Sequence, residues 1–223
     1  MNPHFKLLEQ AHKALSSLGH PFVFLGGATV SLHVDDPASG PVRATKDVDL
    51  VVEVAGYGEF ATVEEQLRRI GFEQSFSDDG APICRWKKDD LILDVLPTEP
   101  QILGFGRSDW FRQGFREARS FELPSGITIQ AFGPIHLLAA KIEAFEDRGG
   151  GDWLLSQDIE DIATLLDGRT TIFAEIEAQD AAATFVRQWL KGHTAELLDA
   201  VAGHTNDFPR ARYLVGNILA LQA

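Results

Sequence analysis

Cysteine is almost missing from this chain: Cys84 is the only one in 223 residues. That excludes an internal disulfide framework and any zinc site built on several thiolates. A reducing, cytoplasmic setting is the simplest expectation. Long hydrophobic runs are missing too, since none reaches the roughly 18–20 residues that a membrane span needs. The opening Met1-Asn2-Pro3-His4 lacks the basic-then-apolar order of a secretory leader, so no membrane partner is expected. Positive charge is scarce, with 20 Lys and Arg against 33 Asp and Glu, a net charge of −13 at pH 7. Proteins that grip duplex nucleic acid over a whole surface are usually basic, because their affinity comes from neutralising phosphates. The acidic balance disfavours that mode but leaves room for a nucleotide at one cation-loaded site. Repeats and low-complexity tracts are absent. What remains, 44% hydrophobic and 24% charged, is the composition of a folded globular chain.

Apolar residues at Phe5, Leu8, Ala11, Leu15 and Leu18 recur with a helical period over His4–Leu18, and Gly19 supplies a stop. Phe22–Leu25 reads as a buried strand, Gly26-Gly27 as a turn, Ala28–Val34 as a short helix and Asp35–Gly40 as a loop. Val48–Val54 is a second strand, followed by a helix over Glu59–Ile70. Phe72–Phe76, Ala81–Lys87 and Leu91–Leu96 read as three strands, with Asp78-Asp79-Gly80 and Lys88-Asp89-Asp90 as their turns. Phe121–Leu123 and Ile127–Ile129 form another hairpin. Pro134 opens a helical stretch: 134–147, a Gly-rich break at Arg148–Asp152, then helices near 156–166, 172–178, 181–191, 194–202 and 209–221. The expected class is α+β, a mixed sheet flanked by helices with an all-helical C-terminal half. The expected division is a catalytic core over 1–132 and a helical region over 133–223.

Candidate chemistry concentrates in Arg43-Ala44-Thr45-Lys46-Asp47-Val48-Asp49-Leu50-Val51-Val52. Two carboxylates two residues apart on a strand share one face, while Val48 and Leu50 pack on the other. Like charges held together repel, and burial strengthens the repulsion. A hard divalent cation, Mg2+ or Mn2+, would relieve it. Asp94 is the one charged residue in the apolar run Leu91–Leu96, a position that is costly unless the carboxylate is paired or binds metal. If its strand lies beside that of Asp47 and Asp49, three carboxylates converge in the manner of a two-metal site. Gly26-Gly27 after a buried strand lets the backbone approach a ligand and offers amides to a phosphate.

These motifs resemble the polymerase-beta-like nucleotidyltransferase superfamily, and within it the AbiEii/MenT-type nucleotidyltransferase-like toxins. The resemblance runs over Leu25-Gly26-Gly27, Arg43-x-Thr45-x-Asp47-Val48-Asp49, Asp94, Ala139-Ala140-Lys141-Ile142-Glu143-Ala144 and Gln157-Asp158-Ile159-Glu160-Asp161-Ile162. It covers about two-thirds of the chain. It implies a nucleotidyltransferase fold that moves a nucleoside monophosphate from a nucleoside triphosphate to an acceptor hydroxyl. Asp47, Asp49 and Asp94 would hold metal, and Asp94 would also serve as base. Gly26, Gly27, Thr45 and Lys46 would contact the nucleotide, and Lys141 would neutralise the triphosphate. Asp158, or else Asp161, would position Lys141 or the base. The implied acceptor is the tRNA 3′ end, and the implied protein partner a cognate antitoxin. Gly27 stands where many members carry serine, and the Asp35-Asp36 loop is suited to restrict a large polyanion.

Plainer readings stand beside these. Asp47 and Asp49 would serve as turn carboxylates, Asp94 as a solvent-facing edge residue, Lys141 as a snorkelling lysine, and Asp158 and Asp161 as charges favoured at a helix N-terminus. Arg43 either fixes a loop or meets phosphate. Cys84 reads as a packing residue, Trp153 and Trp189 as helix packing, and the seven histidines show no metal-ligand spacing. The alternative function is a non-catalytic nucleotide- or partner-binding module of the same fold. A metal-dependent phosphohydrolase ranks last, for want of His-Asp pairs.

Overall fold

Strand alternation in Asp47–Val52 and Leu91–Pro97 puts Val48, Leu50, Leu93 and Val95 on one side of a sheet, where all four are fully buried. In a computed structural model, which describes residues 2–75, 83–104, 109–148 and 151–222, these segments are neighbouring strands. The strands are β1 (Phe22–Leu25), β2 (Asp47–Val52), β3 (Glu73–Gln74), β4 (Arg85–Lys88), β5 (Leu91–Pro97), β6 (Arg119–Glu122) and β7 (Thr128–Ala131). They form one mixed seven-stranded sheet in the order β3-β4-β5-β2-β1-β7-β6. The turn expected at Asp78-Asp79-Gly80 and the glycines 149–150 of the expected break lie outside the described residues.

The chain divides into two compact units, residues 1–29 with 44–133, and residues 30–43 with 134–223. The first holds the sheet, with helices α1 (Pro3–Ala14), α2 (Tyr57–Arg69) and α3 (Trp110–Arg116) packed on it. Asn2 caps α1 by accepting from the His4 N–H, and Pro3 takes the first turn, where no donor is needed. β2 and β5 run parallel, with α2, β3 and β4 in the connection between them, as parallel pairing requires a long crossover. β4 and β5 form a hairpin across Asp89-Asp90, and Asp89 takes the left-handed conformation at φ +51°.

The second unit is helical: α4 (Pro134–Arg148), α5 (Gln157–Gly168), α6 (Ile172–Ile176), α7 (Ala181–Gly192), α8 (Thr194–Thr205) and α9 (Phe208–Ala220). Ser156, Asp180 and Asp207 cap α5, α7 and α9 with side-chain oxygens. Ala163, Val201, Ala211 and Leu214 make a shared core between α5, α8 and α9. Trp153 stacks on Trp189 with centroids 5.4 Å apart, and Phe145 and His193 close the cluster. The expected packing role of both tryptophans is what the structure shows. Asp35 and Asp36 donate their N–H groups to the Gly168 carbonyl, and Arg210 bridges Asp36 and Asp167. The 35–40 loop is thereby tied to α5 and α9, which explains why residues 30–43 group with the C-terminal helices.

One expected element differs in type, and one helix is unexpected. The helix read over Ala28–Val34 is a 3-10 segment, Gly27–Leu32, tightened by the Thr29 N–H and hydroxyl, which both donate to the Gly26 carbonyl. Trp110–Arg116 forms a helix the sequence pattern does not announce, and Gly114 in it lies against Phe132, where a Cβ would come within 2.6 Å of the ring. Among the described residues, no helix is long and apolar enough to cross a membrane.

Leu93 is fully buried on β5, one residue before Asp94 and facing the other side. Leu93→Ala is expected to lower unfolding free energy by about 2–5 kcal/mol, measured by urea denaturation.

Candidate active site

Register places four side chains in a row across four strands. Arg85 on β4 pairs with Asp94 on β5, Asp94 with Asp49 on β2, and Asp49 with Leu25 on β1. Paired residues on adjacent strands point to the same face, so Arg85, Asp94 and Asp49 share it. Asp47, two residues before Asp49, lies on that face in the next row, opposite Ile92. The convergence expected of Asp47, Asp49 and Asp94 is therefore present. β5 is an interior strand and Asp94 is buried, so the solvent-facing edge position is ruled out for it.

Gly26 explains how β1 accommodates this row. It sits at φ +80°, and a Cβ there would lie 1.8 Å from Asp49 Oδ2. Glycine is thus required twice, for its backbone conformation and for the space beside the carboxylate. Gly27 starts the 3-10 segment. Thr45 donates its hydroxyl to Asp47 Oδ1 at 2.6 Å, and Lys46 is exposed.

The sequence pattern does not single out Arg85. Its Nε donates to Asp94 Oδ1 at 2.8 Å and its Nη2 to Asp94 Oδ2 at 2.7 Å, a forked pair. Nη2 also donates to Asp47 Oδ2 at 2.7 Å. The hydrogen bonds to Asp94 raise the guanidinium pKa further above its ordinary value. Burial opposes the shift, and the charges of Asp94, Asp47 and Asp49 reinforce it. Both oxygens of Asp94 and both of Asp47 thus accept a bond from Arg85 or Thr45. Among the described residues, no group of three or more His, Cys, Asp or Glu is arranged to hold a metal ion. The donor chemistry still suits a hard cation, since three carboxylates share one face. Such an ion would have to take over oxygens that Arg85 now holds.

The second unit contains the other expected residues, and it brings them together. Lys141 on α4 reaches Asp158 Oδ1 at 2.9 Å and Asp161 Oδ2 at 2.7 Å. Asp158 and Asp161 are three residues apart on α5 and so share a helical face. Arg43 makes a forked bond to Asp161, Nε to Oδ1 at 2.8 Å and Nη2 to Oδ2 at 2.9 Å. Burial would lower the Arg43 pKa, but the Asp161 hydrogen bonds and charge, with Glu160 and Asp158, raise it overall. Both Asp158 and Asp161 are therefore partners of Lys141, and Asp161 is also a partner of Arg43.

Cys84 is buried, and burial pushes its thiol up to about 12, with the charges of Asp94 and Asp49 adding to the rise.

No protein-family model matches the chain, and no curated protein matches it in sequence. Among solved structures it is similar to an antigenic nucleotidyltransferase-like protein from Paracoccidioides brasiliensis. The TM-score is 0.52 at 18% identity, over 93% of this chain and 98% of the other. It is also similar to the antibiotic-resistance factor ANT(2'')-Ia, with a TM-score of 0.48 at 15% identity, over 86% and 94% of the two chains. The first likeness, over nearly the full length of both chains, shows a nucleotidyltransferase-like fold.

Gly26→Ala is expected to destabilise the protein more than Gly104→Ala. Both glycines have positive φ, but a Cβ at Gly104 meets nothing within 4 Å. Gly104→Ala carries only the backbone cost of about 1–2 kcal/mol, and Gly26→Ala adds displacement of Asp49. Urea unfolding of the two variants measures the difference. For Cys84, a thiol near 12 is about one part in ten thousand thiolate at pH 8. Iodoacetamide at that pH is therefore expected to label the unfolded chain and leave the native one unlabelled.

Proposed function

We propose that this chain is a metal-dependent nucleotidyltransferase, moving a nucleoside monophosphate from a nucleoside triphosphate to an acceptor hydroxyl. The observation that carries the proposal is the pairing of Asp49 with Asp94 on adjacent parallel strands, with Asp47 on the same face. A structural role does not call for three carboxylates in one place, whereas binding a hard cation does. Asp47, Asp49 and Asp94 are the residues to hold Mg2+ or Mn2+, which when bound supplies positive charge to the reacting phosphate and acidifies a nearby hydroxyl. Gly26 leaves Asp49 the room it needs beside β1. Thr45 orients Asp47 through its hydroxyl. In the transfer, the acceptor oxygen forms a bond to the α-phosphorus as the bond to the bridging oxygen breaks. Pyrophosphate leaves, and Asp94 takes the hydroxyl proton. Lys141 is engaged by Asp158 and Asp161 in the second unit, and the proposal rests on the residues of the first. The tRNA 3′ end as acceptor and an antitoxin as partner follow from the family resemblance alone.

Arg85 favours a second reading. Because it pairs with both Asp47 and Asp94 and removes part of their repulsion, the acidic set can persist without a metal, as in a binding module that keeps the fold.

Incubation with each α-labelled nucleoside triphosphate and Mg2+, with tRNA, lysate protein or small-molecule hydroxyls as acceptors, distinguishes the two. Transfer is expected, and Asp94→Ala, which removes the proposed base, should reduce it by about 10²–10⁴-fold. Label transfer undiminished in Asp47→Ala and Asp49→Ala would falsify the assigned site. Nucleotide binding without transfer to any acceptor would establish the binding module instead.

A further inference from the structure

The four oxygens of Asp47 and Asp94 are taken by three bonds from Arg85 and one from Thr45. A guanidinium is a cation in a fixed fork matched to carboxylate oxygens. It therefore does for this face what a divalent ion would do, by setting positive charge between like charges. The two cannot share the place, since a magnesium ion needs oxygens at about 2.0–2.1 Å and would stand close to an arginine that is always protonated. The Arg85 side chain is 23% exposed, so water already reaches it. Lys87, two residues along on the same face of β4 and pairing with Ile92, is exposed.

We infer that Arg85 is an internal competitor of the divalent ion, a positioning residue that holds Asp47 and Asp94 together in the metal-free protein. Metal binding and the Arg85 ion pairs then exclude each other. This rests on the metal-dependent activity proposed above. In functional terms, Arg85 sets the metal concentration at which the site becomes competent, and it protects the metal-free fold from its own carboxylates.

The test is Mn2+ binding to the purified full chain, followed by the EPR signal of free Mn2+, for the wild type, Arg85→Gln, Arg85→Lys and Asp49→Ala. Arg85→Gln is expected to bind Mn2+ at least about tenfold more tightly than the wild type, because a charge-assisted fork no longer has to be broken. Its metal-free melting temperature should fall and recover on adding Mn2+. Arg85→Lys, which keeps the charge without the fork, should lie between the two. Asp49→Ala should bind weakly. Should the glutamine variant not fold, the wild type alone decides. As Mg2+ is added, the Arg85 Nε–H resonance should shift and exchange faster with water. Equal or weaker Mn2+ binding by Arg85→Gln, or an Nε–H signal unmoved at saturating Mg2+, overturns the competition and leaves the metal site standing. Absence of Mn2+ binding in every variant overturns the metal site and the competition together.

Discussion

Mutual repulsion among Asp47, Asp49 and Asp94 is the constraint around which the first unit is arranged. Three carboxylates on one sheet face, one of them buried, are unstable unless positive charge stands among them. In the protein as described, that charge is Arg85. The opposite sides of the same strands anchor the arrangement: Val48, Leu50, Leu93 and Val95 are fully buried. Their packing fixes the alternation, and alternation then forces the acidic residues onto the other face. A register change of one residue would send the carboxylates into the core, so hydrophobic packing and site geometry are the same constraint seen from two sides.

Sheet order converts this into a site. β2 and β5 are distant in sequence yet adjacent and parallel, and only that pairing puts Asp94 opposite Asp49. β1, antiparallel to β2, ends at Gly26, whose missing side chain leaves the space Asp49 Oδ2 occupies. β4 contributes the guanidinium from the far side. Each neighbour of the acidic pair thus supplies one thing, room on one flank and charge on the other.

Much of this was legible in the sequence. Short apolar runs bounded by turn residues mark β1, β2 and β5, and the spacing of Asp47 and Asp49 marks their common face. The helical half follows from Pro134 at the first turn of its opening helix, while the caps Ser156 and Asp180 emerge only in the structure. Arg85 escaped because of a single residue in a turn. Reading Lys88-Asp89-Asp90 as the loop pairs Lys87 with Leu91 and puts Cys84 opposite Asp94. The actual two-residue loop, Asp89-Asp90, pairs Lys88 with Leu91 and puts Arg85 there. Two-residue loops are the commonest hairpin connection, so the signal was available. Long-range ion pairs were less accessible: no local pattern ties Arg43 to Asp161, 118 positions away, or Asp36 to Arg210. The Trp110–Arg116 helix carries too few apolar residues in period to stand out.

The two ionic clusters differ in how their named charges add up. In the second unit, Arg43 and Lys141 face Asp158 and Asp161, two cations against two anions, and Lys141, Asp158 and Asp161 are all buried. These ion pairs tie α4 to α5, and α5 to Arg43. In the first unit, one guanidinium faces three carboxylates, and Asp47 and Arg85 both reach water. Four named side chains there carry a formal charge of −2, and folding alone gives no reason to keep that excess on one sheet face. A divalent cation has the opposite charge and prefers oxygen donors. That excess of negative charge among the four named side chains is the physical reason to look on this sheet face for the cation of the proposed activity.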